Sequence, residues 1–140
     1  MSAVYTADVT VTGGREGHAV SSDKALDVNL SLPKEMGGPG TPGTTNPEQL
    51  FAAGYAACFE SAVRFLAGQE KKKITASSVH ARVGVGPRAA GGFELTISLE
   101  VSIDGVSRAE AEQLVRDAHH NLCPYSHATR GNLDVQIKLV

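Results

Sequence analysis

Apolar and polar residues alternate along several stretches of the chain, and a period of two is typical of half-buried strands. Near the N-terminus the alternating apolar positions are Ala3, Tyr5, Ala7, Val9 and Val11. A glycine-rich turn at residues 13–17 follows, so the pattern predicts a return strand from His18 to Ser22. A third alternation occupies Leu26, Val28, Leu30 and Leu32.

Two longer alternations in the second half of the chain predict a hairpin. The first covers residues 79–85, and the second covers residues 93–103 after a break rich in glycine at residues 86–92. A last alternation at Leu133, Val135, Ile137 and Leu139 predicts a strand near the C-terminus.

Two segments carry helix signals instead. Residues 33–45 contain four glycines and three prolines and predict a loop. After it, Asn46 can cap a helix that has Pro47 in its first turn, and this helix is predicted to run to about Ala67, with Gly68 as a stop signal. A capping box at residues 107–110 predicts a second helix that ends near Leu122.

The order β-β-β-α-β-β-α-β, with hairpins rather than regular βαβ units, predicts an α+β fold with mostly antiparallel sheets. A length of 140 residues fits a single domain, residues 1–140. Because aromatic residues make up only 5% and Trp is absent, the core must come mainly from Val, Leu, Ile and Ala. The first helix is apolar nearly all round from Leu50 to Cys58, which predicts burial in a core or at a subunit interface.

Charge and composition then exclude several classes of partner. Thirteen basic and fifteen acidic residues give a net charge of -2, which argues against a nucleic-acid-binding protein. We expect no membrane span, because no stretch approaches roughly 18 consecutive apolar residues. The N-terminal segment lacks a basic region and an apolar signal core, so we expect a cytoplasmic protein. In that compartment paired thiols are more often redox or metal groups than structural disulfides.

The two cysteines lie in unlike surroundings. Cys58 lies in the apolar middle of the first helix, and Cys123 begins the compact segment CPYSHATRGN. Both thiols could be inert core residues, since free Cys is among the most buried residue types. They could also be a nucleophile and its resolving partner. Because burial raises a thiol pKa, a reactive Cys58 requires a nearby cation.

Two arginines are candidates for that cation. Arg15 lies in the glycine-rich turn, where it is either an ordinary solvated side chain or a close-fitting partner for a thiolate. Arg130 is the other option. Glu48 suits the first turn of its helix and could also hold a guanidinium through two hydrogen bonds. A metal site formed by His119, His120 and His127 is a weaker alternative, because adjacent histidines point to different faces of a helix.

Two segments of the chain resemble the signature segments of a known family. The segment NPEQLFAAGYAACF at residues 46–59, together with CPYSHATRGN at residues 123–132, is similar to those of the organic hydroperoxide resistance proteins. These belong to a wider family that includes the OsmC peroxidases. The resemblance covers nearly the whole chain in length and element order. His127 is a departure, since the resemblance leads us to expect Asn there.

The resemblance implies an OsmC-like fold in an intertwined homodimer, and a thiol-dependent peroxidase that reduces alkyl and fatty-acid hydroperoxides to alcohols. It assigns Cys58 as the peroxidatic cysteine and Cys123 as the resolving cysteine. Arg15 corresponds to the arginine that activates the thiolate, and Glu48 to the carboxylate that holds it. The implied reductant is dihydrolipoamide or a lipoylated protein, with no bound cofactor or metal. From the apolar residues around Cys58 we expect Phe51, Tyr55 and Phe59 to line the substrate pocket.

Two other classes of function fit the same residues. A non-catalytic redox sensor or ligand-binding module would use the same pocket and form a disulfide without sustained turnover. A structural dimer would contain two inert thiols.

Overall fold

The computed structural model describes all residues from Met1 to Val140. The chain divides into two compact units, residues 1–50 and residues 51–140. The predicted order of strands and long helices is confirmed, with one short helix added.

The first unit contains a three-stranded antiparallel sheet in the order β1-β2-β3. Its strands are β1 (Val9–Thr12), β2 (His18–Ser21) and β3 (Asp27–Asn29). The turn between β1 and β2 contains a 3-10 turn at Gly14–Glu16. Gly17 is required there, because a Cβ atom would lie 1.7 Å from the Thr12 carbonyl oxygen.

Strand β1 is shorter than the alternation predicted. All four of its residues are exposed in the single chain, with Val9 at 44% and Val11 at 51% relative exposure. The half-buried strand that the pattern predicted from Ala3 is therefore not covered within this chain. The buried apolar residues of this unit are instead Ala19 and Leu30.

The second unit contains the sheet β4-β5-β6. Strands β4 (Ala76–Pro87) and β5 (Phe93–Asp104) form the predicted hairpin, and β6 (Val135–Leu139) pairs parallel to β5. Three of the four strand pairings in the chain are thus antiparallel, as the α+β prediction expects.

The helices are α1 (Pro47–Gln69), α2 (Arg108–Asp117) and α3 (Pro124–Thr129). A π turn at Ala118–Leu122 extends α2, so the second helical segment ends where predicted. Helix α3 was not predicted. Pro124 does end the preceding helical segment, but it also occupies the first position of a new helix, where its missing N–H costs nothing.

Helix α1 begins as predicted, with the Asn46 side chain accepting a hydrogen bond from the Gln49 N–H at 2.9 Å. The predicted stop at Gly68 is wrong, because the helix includes it and continues to Gln69. The chain leaves the helix through Lys71, whose φ of 56° is left-handed, and the Lys72 N–H donates to the Ala67 carbonyl.

One face of α1 packs into the core of the second unit. Its buried residues are Tyr55, Phe59, Ala62, Val63 and Ala67, and they join buried residues of β5 and α2 in one apolar cluster. The opposite face is open in the single chain, where Phe65 is 55% exposed.

Helix α1 is also long and apolar enough to match a membrane span in length and composition, with a mean hydropathy of 1.3 over 18 residues. The prediction that no stretch of the chain could match a span is therefore wrong. The match is weak grounds for a span, because core helices of globular proteins pass the same test.

Candidate active site

Within the first unit, Arg15 and Glu48 form a two-bonded ion pair. The Arg15 guanidinium donates from Nη1 to Glu48 Oε2 at 2.8 Å and from Nη2 to Glu48 Oε1 at 2.6 Å. Arg15 comes from the 3-10 turn after β1, and Glu48 from the first turn of α1. This parallel geometry fixes the plane of the guanidinium as well as its position.

The pair shifts both ionisation equilibria in the expected direction. The hydrogen bond from Arg15 lowers the pKa of Glu48, and the same bond raises the pKa of Arg15. Both side chains are therefore charged near neutral pH. The Glu48 side chain is 12% exposed and that of Arg15 is 34% exposed, so the guanidinium keeps an accessible edge.

Within the second unit, Cys58 of α1 lies beside Cys123, the residue that precedes α3. Their sulfur atoms are 3.8 Å apart, and both thiols are free. Cys123 is 1% exposed, whereas Cys58 is partly buried at the edge of the apolar cluster. A disulfide needs the sulfur atoms about 2 Å apart, so a small movement of either side chain would bring them to bonding distance.

The surroundings of Cys58 disfavour its thiolate overall. Desolvation raises its pKa, and the neighbouring Cys123 raises it further, while a hydrogen bond from the backbone of Tyr125 lowers it. The apolar setting that was predicted from sequence is therefore present, and it raises the pKa of Cys58 as expected.

A hydrogen-bonded chain of three side chains lies beside the two sulfurs. Ser126 Oγ is 2.7 Å from the Tyr55 hydroxyl and 2.8 Å from His119 Nδ1. The N–H of Ser126 also donates to the Cys123 sulfur at 3.5 Å. The sequence did not predict these hydrogen bonds, because His119 was considered only as a metal ligand. The signal that was available is the matched spacing of three residues from Tyr55 to Cys58 and from Cys123 to Ser126.

An open cavity of about 590 Å³ also lies in the second unit. Phe51 and Tyr125 line one part of it, and their rings meet edge to face with centroids 6.2 Å apart. Among the predicted pocket residues, Phe51 reaches this cavity, whereas Tyr55 and Phe59 are fully buried in the apolar cluster.

The other residues that the sequence suggested, Arg130 as the cation and the histidines as metal ligands, make different contacts. Arg130, the second candidate cation, donates from Nη2 to the His119 carbonyl at 2.6 Å and lies 3.4 Å from His127 Nδ1. His127 is exposed. No group of three or more possible ligands lies close enough to hold a metal ion.

The structure thus joins the predicted catalytic residues in two pairs, Arg15 with Glu48 in one unit and Cys58 with Cys123 in the other. An α+β chain with two free thiols less than 4 Å apart has the geometry of a dithiol redox protein.

Comparison with known proteins narrows this class. Residues 38–138 match the family model described as OsmC-like protein, and the chain belongs to this family. It is 54% identical to an organic hydroperoxide resistance protein of Xanthomonas axonopodis pv. citri, over 97% of this chain and 94% of that protein.

Solved structures agree with that assignment. The organic hydroperoxide resistance protein OsmC of Legionella pneumophila superposes with a TM-score of 0.92 at 46% identity, covering 99% of this chain and 98% of that one. A putative organic hydroperoxide resistance protein of Vibrio cholerae, with captopril bound in one active site, gives a TM-score of 0.93 at 48% identity, covering 99% and 94%. The predicted OsmC-like fold is confirmed.

Proposed function

We propose that the protein is a thiol-dependent peroxidase that reduces organic hydroperoxides to alcohols. The observation that carries this proposal is the pair of free thiols, Cys58 and Cys123, 3.8 Å apart in an apolar setting. Its relatives, which are named organic hydroperoxide resistance proteins, supply the substrate class.

In the first step Cys58 acts as the nucleophile. Its thiolate attacks one oxygen of the peroxide, the O–O bond breaks, and the sulfur loses two electrons to become a sulfenic acid. The alkoxide that leaves takes up the proton released when the thiol ionised and becomes the alcohol. Because the local surroundings raise the pKa of Cys58, this step requires a cation.

We assign that cation to Arg15. Its charge would stabilise both the thiolate and the departing alkoxide, and Glu48 would keep the guanidinium in one orientation. Arg130 is a weaker candidate, because its guanidinium donates to the His119 carbonyl and has no carboxylate partner to orient it.

In the second step Cys123 resolves the intermediate. Its thiol condenses with the sulfenic acid of Cys58, which forms the disulfide and releases one water molecule. A dithiol then reopens the disulfide by two exchange steps, and we propose dihydrolipoamide or a lipoylated protein in this role. The near contact of the two sulfurs supports a resolving step that needs only a small movement.

The substrate would be bulky and apolar. The cavity beside Phe51 and Tyr125 offers about 590 Å³ next to the segment that carries Cys123. Each methylene buried there would contribute roughly 0.8 kcal/mol, which favours alkyl and fatty-acid hydroperoxides over hydrogen peroxide. We further propose that the protein works in the cytoplasm as a homodimer. The dimer is supported by the apolar surface that β1 and Phe65 leave open in the single chain.

The test is turnover of cumene hydroperoxide with dihydrolipoamide, followed by mass spectrometry after one equivalent of hydroperoxide. We expect sustained turnover in the wild type, none in Cys58→Ser, and loss of two hydrogens through a Cys58–Cys123 linkage. Full activity of Cys58→Ser rules out the proposal. A disulfide that forms once and is not reopened by any dithiol would instead favour a redox sensor.

A further inference from the structure

We propose that Tyr55, Ser126 and His119 form a hydrogen-bonded clip that holds Cys123 in position to resolve Cys58. The inference deepens the proposed function, on which it rests, by assigning three positioning residues to the second step. None of the three needs to touch the substrate.

The clip connects the same two elements as the sulfur pair. Tyr55 lies three residues before Cys58 on α1, and Ser126 lies three residues after Cys123 at α3. Residues three apart share a helix face, so the bond from Tyr55 to Ser126 and the contact between the sulfurs are neighbouring connections between the same two segments. The hydrogen bond between Tyr55 and Ser126 therefore also holds the Cys123 sulfur beside the Cys58 sulfur.

Backbone donors connect the clip directly to the sulfurs. The Ser126 N–H donates to the sulfur of Cys123 at 3.5 Å, and the backbone of the preceding residue, Tyr125, lowers the pKa of Cys58. An anchored Ser126 therefore positions the start of α3 beside both reacting sulfurs. Both Tyr55 and Ser126 are fully buried, so each hydroxyl must find its partners inside the protein.

Only one arrangement of protons gives every buried hydroxyl an acceptor. Tyr55 donates to Ser126 Oγ, and Ser126 donates to His119 Nδ1, which requires a neutral imidazole with its proton on Nε2. If Nδ1 carries a proton, Ser126 must turn its own proton toward Tyr55, and the Tyr55 proton loses its acceptor. A buried donor without a partner is costly, so protonation of His119 loosens the clip.

The charges around His119 favour the neutral ring. Burial lowers its pKa, and the neighbouring His120 and Arg130 lower it further. His120 stands with its ring centroid 4.9 Å away, and Arg130 donates to the His119 carbonyl. The other titratable groups at the clip are Tyr55 and the two thiols. The clip is thus intact near neutral pH and weakens below the ordinary pKa range of histidine.

The test measures how fast Cys123 attacks Cys58, in one arm without a peroxide and in a second arm with one. One arm treats the reduced protein with 5,5′-dithiobis(2-nitrobenzoate), which forms a mixed disulfide at Cys58 and releases one thionitrobenzoate. Cys123 then attacks the Cys58 sulfur, and this step closes the disulfide and releases a second thionitrobenzoate. A second arm adds cumene hydroperoxide without a dithiol, and mass spectrometry follows the sulfenic acid, the disulfide and the sulfinic acid that excess hydroperoxide forms. Failure of only the second arm counts against the peroxidase and leaves the clip standing.

We expect disulfide closure to slow about tenfold or more in Tyr55→Phe, Ser126→Ala and His119→Leu, with more sulfinic acid in the second arm. His119→Asn keeps an acceptor near the position of Nδ1 and should recover most of the rate near neutral pH. Wild-type closure should slow as His119 becomes protonated at acid pH, and His119→Asn should lack that inflection. His120→Asn is the matched control for the rate near neutral pH, since no hydrogen bond connects His120 to the clip.

Closure rates within twofold of wild type in both Tyr55→Phe and His119→Leu would overturn the clip. So would equal losses in His119→Asn and His119→Leu across the pH range, since that pattern indicates a packing role. If Ser126→Ala does not fold, Tyr55→Phe decides the question, because it removes a single oxygen atom.

Discussion

At the scale of single residues, the ion pair of Arg15 and Glu48 contributes more to local geometry than to stability. The pair is partly exposed, and ion pairs of this kind contribute about 0–1 kcal/mol to folding. Its value lies in geometry, because two parallel hydrogen bonds hold the guanidinium in one plane. A lysine would carry the charge but could not reproduce that fork.

The role proposed for Arg15 predicts a graded loss of Cys58 reactivity. In a Cys123→Ser background, Arg15→Ala should raise the pKa of Cys58 and slow its reaction with cumene hydroperoxide by roughly a hundredfold or more. Arg15→Lys should lose less, and Glu48→Gln should also lose less, because the guanidinium keeps its charge without its orienting partner. Thiolate absorbance against pH and stopped-flow rates measure both effects.

Arg82→Ala, an exposed arginine of β4, serves as the control and should leave both quantities unchanged. An unaltered thiolate titration in Arg15→Ala would show that Arg15 does not activate the thiol.

The same ion pair predicts a pH-dependent contribution to stability. Arg15 lowers the pKa of Glu48 in the folded state, so the unfolded state binds its proton more readily. The contribution is then complete above the unfolded pKa near 4.5 and is lost as pH falls through the lower folded value. Glu48→Gln should be less stable than wild type at neutral pH, and the difference should shrink below pH of about 4.

Urea unfolding at several pH values measures that difference, and Glu35→Gln, an exposed carboxylate of the same unit, is the reference. If the stability difference between wild type and Glu48→Gln stays constant as the pH falls below about 4, Arg15 does not lower the pKa of Glu48.

At the scale of elements, α1 shows what the sequence could and could not predict. Its start followed from Asn46 and Pro47, because capping is a local interaction. Its end did not, because a glycine favours a stop only when the chain turns there, and Lys71 adopts the left-handed conformation instead. Helix α3 was missed for a similar reason, since Pro124 carries both an end signal and a start signal.

In the candidate active site, too, local features were predictable from the sequence and contacts between distant residues were not. The roles of Cys58 and Cys123 came from a resemblance, and their proximity could not be derived from a separation of 65 residues. The bond between Tyr55 and Ser126 spans 71 residues, and no local pattern reports a contact of that length. Burial of Tyr55 in the core depends likewise on how α1 packs, which the nearly uniform apolar pattern of its middle left open.

Two glycines of α1 provide a paired prediction. A Cβ atom on Gly54 would lie 2.9 Å from the Tyr125 hydroxyl oxygen, whereas one on Gly68 would meet nothing within 4 Å. Gly68→Ala should therefore gain up to about 1 kcal/mol of unfolding free energy from helix propensity alone. Gly54→Ala should gain clearly less, because the Tyr125 ring must move.

Urea denaturation quantifies the difference between these two variants. Because Tyr125 also lines the cavity, Gly54→Ala should change the KM for cumene hydroperoxide, and Gly68→Ala should not. Equal stabilisation in both variants would contradict this prediction, because the Tyr125 ring would then move aside with no loss of free energy.

At the scale of the whole molecule, the apolar surface of the single chain requires an explanation. Val9 and Val11 share one face of β1 and are 44% and 51% exposed, and Phe65 of α1 is 55% exposed. An alternating strand normally covers its apolar face, and a second copy of the chain would supply that cover.

The prediction is a particle of twice the chain mass of 14.6 kDa by light scattering. Replacing both Val9 and Val11 with Lys should shift the equilibrium toward monomer, because burying two ammonium groups costs far more than two valines contribute. Thr10→Lys with Thr12→Lys adds the same charge on the opposite face of the strand and should leave the dimer intact. A wild-type particle of single-chain mass, or equal dissociation by both double variants, would exclude an interface on the apolar face of β1.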